Sequence, residues 1–350
     1  MFFSERPPDV LDHWEGLTNA LSRTSIKPQL PEAAVWDAML PDERDMFNNR
    51  RLDYLGADLV ILAPQLKSVV RKVQLAVLQN RSRVAGRTGV LISGESTMGK
   101  TTACIAAMKT LYGRYALQFP QFMELEHKPV IYVEVPAGST GKAVVGRFAQ
   151  FLGLPFKSRD TLESLMTTVV GQLQKSRTVL VVVDEIHNLS TINNGNGESV
   201  DVLKSLSNRV PATFLYAGIN IHQGALLTGD RGQQIRGRFT AEVLHRYMTA
   251  TTAEKALWNK IVESFEEQLL LFNHQPGDLA AHSRYLHDRT RGSIGSLGRL
   301  LTGAAQSLIS TTDSAEEERI TFEVLESIPL DIDASEDWLQ SDIAHMDDEK

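Results

Sequence analysis

The chain lacks several features that would place it outside a cell or in a membrane. Cys104 is the one cysteine among 350 residues, so no disulfide can form within the chain and the thiol is expected to pack as a small apolar group. No apolar run approaches the roughly 18 residues that cross a bilayer. The N-terminus has no basic segment followed by an apolar stretch, which a signal peptide requires. These absences predict a cytoplasmic protein without a membrane partner.

Charge is distributed unevenly along the chain. The net charge is −7, yet residues 312–350 alone carry fourteen acidic and two basic residues, a net charge of −12. The remaining residues include 34 basic and 29 acidic side chains and are therefore mildly basic. The acidic total does not exclude nucleic acid as a partner, because the excess of acid lies at one end.

A glycine-rich motif occupies residues 94–101 and reads GESTMGKT. Residues 90–93 before it are typical of a buried strand, and residues 102–108 after it are typical of a packed helix. This order directs backbone N–H groups and a helix N-terminus at bound phosphate. Lys100 is expected to reach the β- and γ-phosphates of ATP, and the Thr101 hydroxyl to bind Mg²⁺. The residues predicted to contact the nucleotide are Gly94, Glu95, Ser96, Thr97, Met98, Gly99, Lys100, Thr101 and Thr102.

A pair of acids ends a second apolar run, TVLVVVDE at residues 178–185. The run has no alternation of apolar and polar residues, which favours a central parallel strand buried on both faces. Its carboxyl end is where open α/β sheets bind ligands. We therefore expect Asp184 to contribute to the Mg²⁺ site and Glu185 to orient or deprotonate the attacking water.

Four regions are predicted along the chain. Residues 1–85 form an N-terminal helical extension, residues 86–247 an α/β nucleotide-binding domain, residues 248–312 a small helical lid, and residues 313–350 an acidic tail. In the α/β domain the pattern predicts strands at 89–93, 129–135, 178–184 and 212–218, with helices at 100–112, 141–152 and 161–174 between them. After residue 251 only helices are predicted, the first of them capped by Thr252. The tail is expected to be mobile from Asp313 onward.

The sequence resembles the AAA+ ATPases and, among them, the transposition regulators called TniB or TnsC. The resemblance covers roughly residues 40–310. It is carried by GVLISGESTMGKTT, TVLVVVDEIHNL, ATFLYAGIN and IRGRF, followed by the helical lid. It implies an AAA+ P-loop NTPase fold, in which a parallel sheet is covered by helices and extended by a lid and an N-terminal helical segment.

The resemblance assigns roles to further residues. Asn220 falls where a sensor-1 residue contacts the γ-phosphate. Arg238 matches the arginine that related ATPases insert into the neighbouring subunit's site, with Arg236 as the alternative. The sequence departs from the family where a sensor-2 arginine is usual, because Gly295 stands there. This departure predicts a slow ATPase unless another arginine takes the sensor-2 role; the candidates are Arg291 and Arg299.

DNA contacts are also implied by the resemblance. The candidates follow the second predicted strand: Thr140, Lys142, Arg147, Lys157 and Arg159. Small residues around a lysine at a helix start allow close approach to a phosphate backbone. Aromatic residues do not alternate with these charges, so we expect sequence-independent contacts with duplex DNA rather than base stacking. An ordinary helix cap with an exposed lysine is the competing interpretation.

The function predicted from the sequence is an ATP-dependent, DNA-binding regulator of transposition. It would assemble with itself as a ring or helical filament on duplex DNA, recruit a transposase and a TniQ-like targeting adaptor, and disassemble on hydrolysis. The alternatives are a replication initiator or helicase loader of the same superfamily and an ATP-switched scaffold that hardly hydrolyses. An initiator would need a sequence-reading module, which we do not find after the lid. The acidic tail is either a solubilising segment or a partner-binding hook through Asp337, Trp338, Leu339 and Ile343.

Overall fold

A computed structural model describes residues 9–57, 60–61, 63–189, 198–221, 227, 233 and 236–330. The chain is divided into two compact units. The sheet unit contains the described residues of Pro8–Arg23 and Leu62–Leu244, and the helical unit contains those of Thr24–Ile61 and His245–Lys350. The predicted extension, residues 1–85, is thus divided between the two units in its described part. The bounds of the four predicted regions remain a proposal.

The sheet unit is built on a parallel sheet with five strands among the described residues, in the order β2-β3-β4-β1-β5. The strands are β1 Gly89–Ser93, β2 Val130–Glu134, β3 Leu180–Asp184, β4 Thr213–Gly218 and β5 Phe239–Val243. Because the strands are parallel, the carboxyl ends of β1, β3 and β4 lie at one edge of the sheet. The glycine-rich motif at residues 94–101, called the phosphate loop below, follows β1 at this edge, and the acid pair lies at the end of β3.

Burial explains which strands the sequence predicted. Every residue of β1, β3 and β4 is buried, and β2 is buried up to its last residue, so these strands are continuous apolar runs. Each was predicted, with bounds up to two residues too wide. β5 was missed because its residues are exposed or half-buried and its sequence, FTAEV, includes Glu242. An edge strand of this kind has no apolar run to mark it.

Helices cover the sheet. The helices of the sheet unit are α1 Trp14–Ser22, which packs on α5, and α4 Pro64–Asn80, α5 Lys100–Gln118, α6 Gly141–Leu152, α7 Leu162–Lys175 and α8 Glu198–Arg209. In α5 the small residues Ala103, Cys104 and Ala107 are buried, which lets the helix lie close to the sheet. Burial raises the pKa of the Cys104 thiol well above its ordinary value, as expected for a packing residue. α6 has the predicted bounds, whereas α5 continues to Gln118, six residues further than predicted.

The helical unit combines segments distant in sequence. Its helices are α2 Ala33–Asp37, α3 Pro41–Gly56, α9 Thr252–Glu266, α10 Ser283–Thr290, α11 Ile294–Thr311 and α12 Phe322–Ser327. The cap of α9 is Thr251, one residue before the predicted Thr252. Thr251 accepts from the Glu254 N–H at 3.2 Å, while its own N–H donates to the Glu254 carboxylate at 2.8 Å. The reciprocal pair requires a spacing of three residues, which Thr252 does not offer.

The expectation that the tail is mobile from Asp313 onward is wrong for residues 313–330, which are ordered. They contain a short 3-10 helix, Ala315–Glu317, and α12, and they bury Ile320 and Leu325. Glu318 is fully buried and paired with Arg51 of α3. Acid-rich composition suggested disorder, but a buried partner distant in sequence neutralises the one carboxylate that enters the core.

Within the described part of the chain, every helix falls short of the length and apolar character that crossing a membrane requires.

Candidate nucleotide-binding site

The glycine-rich motif forms a loop between β1 and α5. Thr97 (φ 60°) and Gly99 (φ 80°) adopt left-handed backbone conformations, which turn successive N–H groups towards a common point. A Cβ on Gly94 would lie 3.0 Å from the Leu244 carbonyl oxygen, a tight contact, so glycine lets the loop lie close to the end of β5. Of the other predicted contacts, Met98 is buried, Thr102 is half-buried, and Glu95 and Ser96 are exposed. The loop presents backbone donors at the N-terminus of α5.

Lys100 is the first residue of α5, and its side chain crosses the loop. Its Nζ donates to the Glu95 carbonyl oxygen at 2.7 Å, and the residue is 6% exposed. Burial lowers the pKa of Lys100 from its ordinary value, and the carboxylates of Glu185 and Asp184 act in the opposite direction. The ammonium is therefore partly desolvated, and the two carboxylates help to keep it charged.

Asp184 joins three elements at the end of β3. Its Oδ2 accepts from the Thr101 hydroxyl at 2.9 Å and from the Tyr132 hydroxyl at 3.1 Å, and its Oδ1 accepts from the Glu185 N–H at 2.8 Å. The Thr101 proton is directed at the carboxylate, so the lone pairs of the hydroxyl oxygen are left for a metal. Two adjacent hard oxygens suit Mg²⁺, which binds few protein ligands and retains waters and phosphate oxygens. The predicted pair of Thr101 and Asp184 fits this ion.

Tyr132 was not predicted as a site residue. It lies on β2 opposite Val182, on the face of the sheet that Asp184 also occupies. Burial, and then the Asp184 carboxylate, raise the pKa of the Tyr132 hydroxyl, which therefore stays protonated and donates. A tyrosine within the apolar strand sequence VIYVE was the available signal.

Glu185 and Asn220 lie at the same edge of the sheet. Glu185 (φ 57°) precedes a 3-10 helix, Ile186–Asn188, and its Oε2 lies 3.2 Å from His187 Nδ1. Asn220 (φ 47°) is exposed and follows β4 by two residues. The Gly94 N–H donates to the Gly218 carbonyl at 3.4 Å, which joins the end of β4 to the start of the phosphate loop. The structure therefore groups Lys100, Thr101, Asp184, Glu185 and the turn that carries Asn220.

Arg238 lies at the opposite end of the strands. It immediately precedes β5, and its carbonyl accepts from the N–H of Gly89, the first residue of β1. Its Nη1 donates to Asn208 Oδ1 at 3.0 Å. Five residues of strand separate it from the phosphate-loop edge by about 16 Å, which exceeds the reach of an arginine side chain. Arg238 and Arg236 are exposed.

The position of the missing sensor-2 arginine lies in the helical unit. Ser293 caps α11 by accepting from the Ser296 N–H at 3.2 Å, and Gly295 falls in the first turn. Arg291 (φ 52°) and Gly292 (φ 68°) form a left-handed turn before it. A Cβ on Gly292 would lie 2.0 Å from the Tyr247 carbonyl oxygen, so this turn requires glycine. Arg299 lies further along α11.

The candidate DNA-contacting residues lie at the start of α6 and in the connection to α7. Thr140 caps α6 by accepting from the Ala143 N–H at 3.3 Å. The Lys142 Nζ donates to the Ser158 carbonyl at 2.6 Å and so holds the connection near the helix start. Arg147 is exposed and donates to Gln150, while Lys157 and Arg159 are exposed in the connection. Of this group, the last three present guanidinium or ammonium groups to solvent.

The proposed hook residues Asp337, Trp338, Leu339 and Ile343 lie outside the residues that the structure describes.

Comparison with solved structures identifies the class of the fold. The chain is similar to the Orc1 protein of Aeropyrum pernix in complex with DNA, with 19% identity and a TM-score of 0.54, over 79% of this chain and 67% of that one. It is also similar to the Orc2 protein of Aeropyrum pernix, in its ADPNP and ADP complexes, with 16% identity and a TM-score of 0.52, over 77% of this chain and 68% of that one. The fold is that of the AAA+ P-loop ATPases, as the sequence predicted.

A family model gives a more specific assignment than the fold class. The family model described as bacterial TniB protein matches residues 51–271, and the chain belongs to this family. Comparison with curated proteins found no match.

Proposed function

We propose that this protein is an ATP-dependent AAA+ regulator of DNA transposition. It assembles on duplex DNA, recruits a transposase and is dismantled by ATP hydrolysis. The observation that carries the proposal is the hydrogen bond between Thr101 and Asp184, because it joins the phosphate loop to the acid pair at one edge of the sheet. Membership of the TniB family supports the link to transposition.

ATP is the proposed substrate. Its phosphates would replace the Glu95 carbonyl as acceptors for Lys100 and receive the loop N–H groups. Thr101 and Asp184 would hold Mg²⁺, which would supply charge neutralisation at the β- and γ-phosphates. Glu185 would accept a proton from water as the water oxygen bonds to the γ-phosphorus and the bond to the ADP oxygen breaks. Asn220 would contact the γ-phosphate from the turn after β4.

Hydrolysis is proposed to depend on assembly. Arg238 cannot reach the phosphate loop of its own chain, but it is exposed and can enter the site of a neighbouring copy. An arginine supplied in this way stabilises charge in the transition state. Without that neighbour, and without a sensor-2 arginine at Gly295, the isolated chain is expected to hydrolyse ATP slowly. The assembly is a ring or a helical filament.

Duplex DNA is the proposed nucleic-acid partner. The three solvent-facing cations Arg147, Lys157 and Arg159 can contact phosphates, and the absence of aromatic residues among them favours sequence-independent binding. A structural neighbour is an Orc1 protein in complex with DNA, which supports the same partner class. The transposase and a TniQ-like adaptor are the proposed protein partners, and the cytoplasm is the proposed location.

A scaffold that binds ATP and scarcely hydrolyses it is the second candidate. Gly295 favours it, because the first turn of α11 provides no arginine at the sensor-2 position. The arrangement of Glu185 beside Lys100 and Asp184 favours hydrolysis. Turnover measured with and without DNA separates the two candidates, since only the assembly-coupled ATPase is stimulated.

The test is the ATPase rate as a function of protein concentration, with and without duplex DNA. Wild type, Arg238→Ala and a control, Arg114→Ala on the exposed surface of α5, are compared. We expect cooperative, DNA-stimulated turnover that Arg238→Ala lowers at least a hundredfold and Arg114→Ala leaves within twofold. Turnover that is linear in protein, indifferent to DNA and unaffected by Arg238→Ala would refute the assembly-coupled function.

A further inference from the structure

His187 lies between two parts of the candidate site. Its Nδ1 is 3.2 Å from the Glu185 carboxylate, and the Ile219 N–H donates to the same nitrogen, also at 3.2 Å. A Cβ on Gly218 would lie 3.2 Å from that nitrogen, so glycine at the end of β4 makes room for the imidazole. The side chains of Glu185 and His187 are both about 30% exposed.

The structure has the hydrogen bond from Ile219, and Nδ1 cannot bond to both neighbours at once. In a neutral imidazole, Nδ1 carries either a proton or a lone pair, depending on the tautomer. With the lone pair, Nδ1 accepts from Ile219 and has no proton for Glu185. With the proton, Nδ1 donates to Glu185 and cannot accept from Ile219. One nitrogen therefore serves two partners in turn.

The second partner belongs to the turn that carries Asn220. Ile219 precedes Asn220, and the Ile221 N–H donates to the Ser93 hydroxyl at 3.2 Å. Ser93 ends β1, and the phosphate loop follows it. The turn is therefore held by His187 on one side and by the phosphate-loop strand on the other, and a displacement of Asn220 changes the partner available to His187.

We propose that His187 is a positioning residue that couples the Asn220 turn to the Glu185 carboxylate through this exchange of one hydrogen bond. When Ile219 donates to Nδ1, the carboxylate is released to accept a proton from water. When the turn moves away, the ring proton passes from Nε2 to Nδ1 through solvent, and Nδ1 then donates to the Glu185 carboxylate and holds it. This inference rests on the proposed function, in which Glu185 is the base.

A double-mutant cycle tests the coupling. Single-turnover hydrolysis at saturating ATP is measured for wild type, His187→Ala, Asn220→Ala and the double variant. We expect the effect of Asn220→Ala to be at least fivefold smaller in the His187→Ala background. His187→Ala is expected to change affinity for a non-hydrolysable ATP analogue less than twofold, in the wild-type and in the Asn220→Ala background alike, because His187 contacts Glu185 and Ile219 and not the phosphate loop.

The control is His127→Ala. His127 is buried at the far end of β2 and bonded to Tyr115, so its effect should add to that of Asn220→Ala. His187→Asn replaces the ring by an amide whose oxygen can accept from Ile219, and it should recover part of the dependence on Asn220. It also serves as the test if thermal unfolding indicates that His187→Ala does not fold.

Additive effects of His187 and Asn220 within twofold, or no effect of Asn220→Ala alone, would overturn the coupling. Glu185→Gln separates that result from failure of the proposed function. If Glu185→Gln abolishes hydrolysis while the cycle is additive, only the role of His187 is lost. If Glu185→Gln hydrolyses ATP at the wild-type rate, the proposed function itself is wrong.

Discussion

At the scale of single residues, the candidate site depends on how one carboxylate is held. Asp184 is 1% exposed and accepts three hydrogen bonds, from Thr101, Tyr132 and the Glu185 backbone. A buried carboxylate without such donors would be costly to ionise. The donors fix the orientation of the two oxygens, and one of them, Thr101, is itself a proposed metal ligand.

Tyr132→Phe removes one of these donors with little change in the volume of the buried side chain. We expect Mg²⁺-dependent affinity for ATP to fall about threefold to tenfold, because a typical hydrogen bond contributes about 1 kcal/mol and outer partners orient metal ligands. Titration calorimetry with and without Mg²⁺ measures the change. Tyr216→Phe is the control, since the Tyr216 hydroxyl bonds to the Leu203 carbonyl. An equal loss without Mg²⁺ would contradict the role of Tyr132 at the metal.

At the scale of elements, a buried acid organises the segment after α9. Glu266 of that helix accepts from the N–H groups of Gly277 and Leu279 at 2.9 Å and from His274 at 3.0 Å. Burial alone would raise the pKa of Glu266, but these hydrogen bonds, the one from His274 first, outweigh burial and lower it from 4.5. The carboxylate thereby fixes the start of a 3-10 helix, Asp278–His282.

Glu266→Gln is expected to lower the free energy of unfolding by about 1–3 kcal/mol at pH 7. A carboxyl with a lowered pKa in the folded state stabilises above its unfolded value of 4.5, and this contribution is lost as pH falls below that value. The difference from wild type should therefore be smaller at pH 3.5 than at pH 5. Urea unfolding at pH 7, 5 and 3.5 measures it. The neighbouring exposed Glu267→Gln is the control, and a difference that is larger at pH 3.5 than at pH 5 would contradict the assignment.

The secondary structure elements also show which parts of the fold and of the candidate site could be predicted from the sequence. Motif spacing predicted the phosphate loop and the acid pair, because their roles depend on backbone geometry next to buried apolar strands. β5 and the buried position of Glu318 escaped prediction, since each depends on a partner distant in sequence: β1 for the strand and Arg51 for the acid. His187 escaped for the same reason, because its second partner, Ile219, follows another strand.

At the scale of the whole molecule, the proposed DNA surface predicts a salt dependence. The double variant Lys157→Ala, Arg159→Ala should flatten the slope of log affinity against log salt by about 0.9 for each DNA phosphate that the variant no longer neutralises. Lys142 is unsuitable for this test, because its bond to the Ser158 carbonyl holds the connection in place. Lys175→Ala, exposed at the far end of α7, is the charge-matched control for one lysine. An unchanged slope would exclude Lys157 and Arg159 from binding phosphate.

The placement of Arg238 predicts that two inactive proteins restore activity when mixed. Arg238→Ala retains a complete acid pair but supplies no arginine to its neighbour, whereas Glu185→Gln supplies the arginine but lacks the base. In a mixed assembly, a Glu185→Gln copy can complete the site of an adjacent Arg238→Ala copy. We expect each variant alone to be at least a hundredfold slower than wild type, and an equimolar mixture with duplex DNA to recover on the order of a quarter of wild-type turnover, since two random neighbours form the productive order at one site in four.

Recovery of turnover requires that one copy supplies Arg238 and that the adjacent copy supplies Glu185. A double variant that carries both substitutions, mixed with either single variant, supplies no site with both groups and should stay inactive. Titrating Glu185→Gln into a fixed amount of Arg238→Ala should raise turnover per Arg238→Ala copy until each has a Glu185→Gln neighbour. Turnover that remains absent in every mixture, although the variants co-assemble on DNA by sedimentation, would mean that Arg238 does not act on a neighbouring site. The 16 Å or so of strand between Arg238 and its own phosphate loop would then separate it from catalysis altogether.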